Sequence, residues 1–229
     1  VENEDEDENG DKDVKESESE SVQKITGVFS RLHSVVIGPG LGRNPSVLRV
    51  VSQVIEKAKE KRIPLVIDGD GLYLVSQDLS LIKGYKHAVL LPNPVEYKRI
   101  YESAFPGSSG DDMEEKAERD TNADQRLLEQ LCNELGNVTI VKKGSVDIIS
   151  NGHLTLKCEE KGSPRRSGGQ GDVLSGITAT FLHWAHWAKQ REQKKKKEDN
   201  DTMKEQPSLE ELIVQGCFAA CMLTRRCAE

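Results

Sequence analysis

The sequence has no long hydrophobic run. No apolar stretch approaches the ~20 residues that cross a bilayer, and the N-terminus lacks a basic-then-apolar signal pattern. The five cysteines are odd in number and form neither CxxC pairs nor zinc-finger spacings with histidines. These absences argue against a membrane-spanning protein, a disulfide scaffold and a zinc finger. We therefore expect a soluble, unsecreted protein with reduced thiols.

A dominant cationic surface is also missing, because the 229 residues carry a net charge of -7. Nucleic-acid binding by counterion release needs clustered Lys and Arg side chains over a broad face. We therefore expect no nucleic-acid partner. A small anionic ligand remains compatible with this charge, since a local group of backbone N–H donors is enough to bind one.

Two segments are too polar to form a core. Residues 1–24 are mostly Glu, Asp, Ser and Lys, and residues 189–206 are a low-complexity insert that contains the run Lys194–Lys197. Such compositions bury too little apolar surface to offset the entropy lost on ordering, so we expect disorder in both. For the lysine run we favour a solvated loop over a nuclear-localisation signal. The remainder, residues 25–229, reads as one domain.

Short apolar strands alternate with amphipathic helices through that domain. The predicted strands are 34–37, 64–67, 88–91 and 138–141, followed by a hairpin over 147–156 with its turn at Asn151-Gly152. The predicted helices include 45–61, 95–101, 124–135, 172–189 and 209–224. This alternation predicts an α/β fold in which a mostly parallel sheet is flanked by helices on both faces.

The loop Gly168-Gly169-Gln170-Gly171-Asp172 is the most informative candidate site. Its glycines permit tight turns, and the helix that follows presents its positive end to an anion. The Asp172 carboxylate could accept a proton from a hydroxyl that attacks a phosphoryl group. The alternative is an ordinary helix N-cap, at which Asp is common.

Other loops follow the predicted strands at the edge where open parallel sheets bind ligands. Asn93 and Glu96 could face one site, with Glu96 holding Mg2+ through water, or could form a capping box. The glycines of 38–42 allow a ligand to approach closely, or simply make a tight turn. Lys142-Lys143-Gly144-Ser145 could meet nucleotide phosphates, or be a charged strand end. Asp68 and Asp70 could approach a metal, although Asp-Gly turns account for them adequately.

Taken together, five segments resemble the eukaryotic ATP-dependent (S)-NAD(P)H-hydrate dehydratases. They are Val36–Gly42, Val66–Leu72, Leu91–Glu96, Lys143-Gly144 and Gly168–Asp172. The resemblance implies a ribokinase-like fold and Asp172 as the catalytic base. It places the hydrate substrate at Gly40, Gly42, Asn93, Pro94, Val95, Glu96, Tyr97, Lys98, Arg99 and Asp172. It places ATP at Lys142, Lys143, Gly144, Ser145, Val146, Ser163, Pro164, Arg165, Arg166, Ser167, Gly168, Gly169, Gln170 and Gly171.

The reaction that the resemblance implies is the repair of hydrated NADH and NADPH, named NADHX and NADPHX, with ATP and Mg2+ as cofactors. ATP would phosphorylate the hydroxyl of the hydrate, and phosphate would then leave. We expect a cytoplasmic protein, with a mitochondrial form as an alternative, and leave a homo-oligomer open. A ribokinase-like small-molecule kinase and a fragment that only binds nucleotide are the alternative functions.

The chain departs from the family pattern at both ends. The pattern has a glycine-rich strand and a Tyr-Thr-Gly-Ala-Pro-Tyr-like segment before the region that begins here near Leu32, and its last helices extend beyond Arg226. Neither part is present in this sequence. We therefore expect the fold to be truncated at both ends.

Overall fold

The computed structural model describes residues 4–108, 122–163, 167–199 and 206–228. Within these ranges the strands are β1 (Val35–Ile37), β2 (Leu65–Ile67), β3 (Ala88–Leu90), β4 (Thr139–Lys142), β5 (Asp147–Ser150) and β6 (Thr155–Cys158). The helices are α1 (Glu4–Thr26), α2 (Pro45–Glu60), α3 (Asp70–Gln77), α4 (Pro94–Ala104), α5 (Ala123–Glu134), α6 (Gln170–Asp199) and α7 (Leu209–Cys227). Short 3-10 turns lie at Phe29–Arg31 and Leu79–Leu81.

The six strands form one sheet in the order β1-β2-β3-β4-β5-β6. The first four strands are parallel, because helical connections return the chain to the same end of the sheet before each new strand. β5 and β6 are antiparallel, and Ser150 faces Thr155 across the predicted turn at Asn151-Gly152. The mostly parallel sheet and the hairpin are both confirmed.

Both faces of the sheet are covered. Along β2, Leu65 and Ile67 pack into a core with α2, α3, α4 and α5, whereas Val66 packs into a second core with α6 and α7. Side chains alternate between the faces of a strand, so a strand buried on both sides is apolar at every position. This explains why β2 reads as an unbroken apolar run.

Two helices begin at N-caps that the sequence analysis did not single out. Asn44 precedes α2, and its Oδ1 accepts a hydrogen bond from the Ser46 amide at 2.9 Å, with Pro45 at the first helical position. Ser208 precedes α7 in a capping box that Glu211 completes.

The acidic N-terminal segment is helical over residues 4–24, so the prediction of disorder is wrong there. α1 docks on α2 through Glu18, whose Oε1 accepts from Arg49 Nη2 at 2.7 Å, and through Val22. Both residues are buried in spite of the polar composition around them. A few contacts at helical spacing therefore order a segment that composition alone assigns to disorder.

The insert is also helical as far as Asp199, where the sequence predicts a solvated loop. α6 continues through the lysine run. Before that run, Lys189 Nζ donates to Glu192 Oε2 at 2.7 Å and to the Pro207 carbonyl at 2.9 Å. The second contact ties α6 to the start of α7. Residues 200–205 of the insert lie outside the described residues.

The five cysteines are free thiols, as expected, and four of them are buried. Burial raises the pKa of Cys132 and Cys217 to about 12, so neither thiol ionises near neutral pH. None of the described helices has the length and apolar character that a bilayer crossing requires.

Candidate active site

The predicted site loops converge at the carboxyl end of the parallel strands. Gly38–Gly42 follows β1, Asp68–Gly71 follows β2, Pro92–Glu96 follows β3 and Lys143–Val146 follows β4. The segment Ser167–Asp172 reaches the same edge as the start of α6, where Ser175 contacts Asp68. The structure thus brings together the five segments that the sequence analysis singled out.

Gly38 lets the first two loops touch. It has a φ of 118°, and a Cβ at this position would lie 1.8 Å from the Asp68 carbonyl oxygen. A Cβ on Gly71 would likewise lie 2.9 Å from the Ile37 carbonyl oxygen. Only glycine allows the two backbones this approach.

The Asp68 carboxylate is the central polar contact of the site. Its Oδ1 accepts from Lys143 Nζ at 2.7 Å and from the Gly69 amide at 2.8 Å, and its Oδ2 accepts from Ser175 Oγ at 2.7 Å. The side chain is almost wholly buried. Asp68 therefore joins the ends of β2 and β4 to the first turns of α6, which assigns it a structural role in place of the metal role considered from sequence.

Asp70 organises the loop after β1. Its Oδ2 accepts from the Gly42 amide and its Oδ1 from Arg43 Nε, each at 3.0 Å. Gly40 and Gly42 have φ values of 66° and 75°, and a Cβ at either position would meet no atom within 4 Å. The two glycines thus border open space, as the assignment to the hydrate site requires.

Asn93 and Glu96 form the capping box that was one of the two sequence alternatives. Asn93 Oδ1 accepts from the amides of Val95 and Glu96 at 2.9 and 3.0 Å, and Glu96 Oε2 accepts from the Asn93 amide at 2.8 Å. No group of three or more acidic, His or Cys side chains among the described residues is arranged to hold a metal. These residues fit a cation held mainly by phosphate and water, with one Glu96 oxygen left to assist.

The remaining residues predicted to bind the hydrate differ in exposure: some lie at the surface, and one is buried in the core. Pro94 and Val95 are exposed, Lys98 is half-buried, and the Arg99 guanidinium lies 5.7 Å from the centre of the Tyr73 ring.

Tyr97 belongs to the core. Its side chain is 2% exposed, so it does not reach a bound ligand in this conformation, contrary to the sequence assignment. Burial raises the pKa of its phenol above the usual value.

The two predicted nucleotide lysines diverge because successive residues of a strand face opposite sides. Lys143 pairs with Asp68 inside the site. Lys142 Nζ instead lies 2.7 Å from Asp124 Oδ1 and 4.8 Å from the centre of the Tyr97 ring. The Lys142 ammonium therefore does not face the candidate nucleotide site, which the sequence pattern did not distinguish.

Gly144, Ser145 and Val146 form the turn between β4 and β5, with Gly144 and Ser145 exposed. The turn is held by two residues that the sequence analysis missed. Asp147 Oδ1 accepts from the Gly144 amide at 3.0 Å, and Arg225 pairs with Asp147 Oδ2 at 2.7 Å. The hydrogen bond to Asp147 raises the pKa of Arg225. No sequence signal links these two residues, which lie far apart in the chain on a strand and a helix.

The glycine-rich loop leads directly into α6. Ser167, Gly168 and Gly169 are exposed, and a Cβ on Gly168 or Gly169 would meet no atom within 4 Å. Gln170 and Gly171 open the helix. Ser163 precedes the loop and is half-buried, while the predicted ATP residues Pro164, Arg165 and Arg166 lie outside the described residues.

Asp172 lies in the first turn of α6, which begins at Gln170, so the N-cap alternative is not what the structure has. Its side chain is exposed and makes no hydrogen bond or ion pair within the described ranges. A carboxylate at this end of a helix is stabilised by the helix dipole. The site therefore presents an exposed carboxylate in the helical turn that follows the glycine-rich loop.

The family model and the curated relatives that match this chain carry the same family description. A family model described as NAD(P)H-hydrate dehydratase matches residues 10–204. The chain is 41% identical over 207 residues to the ATP-dependent (S)-NAD(P)H-hydrate dehydratase of Homo sapiens, a match that covers 90% of this chain and 53% of that protein. The protein of the same name from Ciona intestinalis is 43% identical over 198 residues. That match covers 86% of this chain and 48% of the Ciona protein. The chain spans about half the length of these curated relatives.

Solved structures identify the fold. A ribokinase-like superfamily protein from Enterococcus faecalis aligns with a TM-score of 0.58 at 24% identity, covering 88% of this chain and 56% of that one. A hypothetical protein from Streptococcus mutans aligns with a TM-score of 0.60 at 20% identity. The alignment covers 90% of this chain and 60% of that protein. The ribokinase-like fold expected from the resemblance is confirmed. Because the family model covers most of its length, the chain belongs to the NAD(P)H-hydrate dehydratase family.

Proposed function

We propose that the chain catalyses the ATP-dependent dehydration of (S)-NADHX and (S)-NADPHX to NADH and NADPH. The observation that carries the proposal is the position of Asp172, an exposed carboxylate in the first turn of α6, beside the loops that end the parallel strands. Family membership suggests the substrates, and the convergence of these loops supports the proposal that both nucleotides bind at this edge of the sheet.

In the first step, Asp172 accepts the proton of the hydrate hydroxyl while that oxygen attacks the terminal phosphorus of ATP. The bond from this phosphorus to the bridging oxygen breaks, and ADP leaves with the electron pair. The amides of Gly169 and Gly171 face developing negative charge as preorganised donors. Mg2+, held by the ATP phosphates and by Glu96 through water, would neutralise part of that charge when bound.

In the second step, the bond between the ring carbon and the phosphorylated oxygen breaks, and phosphate leaves with its electron pair. The ring nitrogen donates its lone pair to the carbon that loses the oxygen, and loss of a proton from the adjacent ring carbon restores the double bond. Hydroxide is a poor leaving group and phosphate a good one, so ATP makes the dehydration favourable. Lys143, held by Asp68 at 2.7 Å, places a positive charge at the end of β4 near the phosphates.

A reducing compartment suits the chain, and we propose the cytoplasm, or the mitochondrion for a mitochondrial form. All five cysteines are free, and four are buried where they contribute to packing. The proposed substrates are small molecules, so the reaction needs neither nucleic acid nor a membrane.

To test the proposal, the protein is incubated with chemically hydrated NADH, ATP and Mg2+, and recovery of the reduced-nicotinamide absorbance is measured. We expect recovery, and we expect Asp172→Asn to lower its rate by about 10²–10⁴ while nucleotide still binds. The matched control is Glu210→Gln, which removes a partly exposed carboxylate from the first turn of α7 and should leave the rate unchanged.

Three results would count against the proposal. Phosphorylation of sugars or thiamine precursors without recovery of reduced nicotinamide indicates a small-molecule kinase. Nucleotide binding with neither reaction indicates a chain that only binds nucleotide. An unchanged rate in Asp172→Asn removes this residue from the mechanism.

A further inference from the structure

Arg225 lies in the last turn of α7, outside every segment assigned to the substrates, yet it contacts the edge of the candidate nucleotide site. Its side chain is 17% exposed. Nη2 donates to the Gly144 carbonyl and Nη1 to the Ser145 carbonyl, each at 2.9 Å. A single guanidinium thus binds two successive carbonyls of the β4–β5 turn.

The same guanidinium reaches two further groups. Nε donates to Asp147 Oδ2 at 2.7 Å, and Nη1 also donates to the Glu160 carbonyl at 3.2 Å. Asp147 in turn accepts the Gly144 amide through its other oxygen at 3.0 Å. The turn is therefore held by its carbonyls and by an amide, through one buried ion pair.

Through the Glu160 carbonyl, Arg225 also contacts the segment that leads towards the glycine-rich loop. Residues 159–163 run from the end of β6 towards the glycine-rich loop, and a Cβ on Gly162 would lie 3.6 Å from both Cβ and Cγ of Arg225. The arginine stem thus packs against this segment while its head binds the turn. One side chain thus contacts the predicted turn 142–146 and also Glu160 and Gly162, which precede the second predicted part of the nucleotide site.

We infer that Arg225 is a positioning residue for ATP: it fixes the β4–β5 turn and the segment that enters the phosphate loop, so that both meet the nucleotide in one geometry. The inference rests on the proposed function in placing ATP at these segments. Arginine suits the task because its planar head carries five donors in fixed directions, whereas lysine offers a single ammonium. Arg225 contacts the protein backbone only and is not a catalytic residue.

The experiment compares Arg225→Met, which keeps the stem and removes the donors, with Arg226→Met. Arg226 is the adjacent residue and pairs with the Glu160 carboxylate at 3.1 Å from a side chain that is 59% exposed. Titration calorimetry measures binding of the non-hydrolysable ATP analogue AMP-PNP with Mg2+. We expect Arg225→Met to raise its Kd by about tenfold or more, since several ordering hydrogen bonds are lost. Arg226→Met should change it by less than about twofold, because exposed ion pairs contribute little.

A second readout separates positioning from general damage. Where turnover is measurable, Arg225→Met should raise the KM for ATP and leave the KM for hydrated NADH within about twofold, because the hydrate loops do not contact Arg225. Hydrogen exchange at Gly144 and Ser145 should speed up, while the amides of β2 and β3 stay protected. Arg225→Lys should rescue only part of the AMP-PNP affinity.

The binding measurements test the role of Arg225 whether or not the chain is a dehydratase. An unchanged Kd in folded Arg225→Met overturns the inference, as does equal weakening of ATP and hydrate binding. Absence of AMP-PNP binding by the unaltered chain overturns it as well. Binding that depends on Arg225, without any dehydration, supports the inference and overturns only the proposed function.

A further variant covers the case in which Arg225→Met does not fold. Asp147→Asn keeps an acceptor for the Gly144 amide but removes the charge that holds Arg225 Nε. Asp147→Asn should raise the Kd of AMP-PNP by a smaller factor than Arg225→Met is expected to. An unchanged Kd contradicts the inference.

Discussion

Gly38 and Asp68 meet where β1 and β2 end, and their contact sets the shape of the candidate site. We predict that Gly38→Ala lowers the free energy of unfolding by more than Gly40→Ala does. Both glycines have positive φ, which costs an L-residue about 1–2 kcal/mol. Only at Gly38 does a new Cβ also collide with backbone, at 1.8 Å from the Asp68 carbonyl oxygen. Urea denaturation of the two variants measures the difference, and equal losses would contradict the contact.

His87 and His186 form a hydrogen-bonded pair that gives stability a pH dependence. His87 Nδ1 lies 2.8 Å from His186 Nε2, and His186 Nδ1 lies 2.8 Å from the Leu182 carbonyl, which can only accept. His186 therefore carries its proton on Nδ1 and accepts the His87 proton on Nε2. Burial lowers the pKa of both histidines below the usual 6.5, so the folded state favours neutral rings.

The sign of the pH effect follows from this shift. Below about pH 6.5 the unfolded chain takes up protons that the folded chain refuses, so the free energy of unfolding falls as the pH falls. We predict a decline between about pH 7.5 and pH 5.5 that is smaller in His186→Gln. His153→Gln, in the exposed β5–β6 turn, is the control and should keep the full slope. A slope that His186→Gln leaves intact would assign the decline to other groups.

Single residues of the site were predictable from sequence where the interaction is local. Asn93 and Glu96 lie three residues apart, and the capping box follows from that spacing. The pairing of Asp68 with Lys143 joins different strands, and the bonding of Asp147 to Arg225 joins a strand to a helix. Such contacts depend on how the elements pack, which a local pattern does not encode.

α1 shows how tertiary contacts override composition. A helix this rich in like charges gains little from its own propensity, because like-charge pairs at helical spacing are destabilising. Its order depends on Glu18 and Val22, which pack against α2 and the adjacent core. Two docking residues in an acidic segment give too weak a periodic signal for sequence analysis to detect.

We predict that Val22→Asp undocks α1, because it places a carboxylate at a position that is 8% exposed. The loss of apolar burial and the desolvated charge should lower the free energy of unfolding by about 2–3 kcal/mol. Val14→Asp, at a 41% exposed position of the same helix, should cost less than about 0.5 kcal/mol. Hydrogen exchange over residues 14–26 measures the docking directly, and protection that survives in Val22→Asp would show that α1 is held in another way.

The fold of the whole chain follows from a pattern repeated along it. Four apolar runs, the first three each followed by a helical pattern, specify parallel strands with covering helices, and the structure has that arrangement. Since the carboxyl ends of parallel strands share one edge, the turns after β1 to β4 had to meet there. The sequence did not predict the length of α6, which continues as a helix through the polar segment to Asp199.

The proposed reaction couples both nucleotides in one site and therefore predicts a fixed stoichiometry. With hydrated NADH, ATP and Mg2+ in a single reaction, the ADP formed and the reduced nicotinamide recovered should be equimolar at every time point. Formation of one ADP accompanies each hydroxyl phosphorylated, and phosphate departure restores one ring. Measuring both products in the same sample should give a constant ratio of one, whereas ADP accumulating without recovery of NADH would contradict the dehydratase assignment.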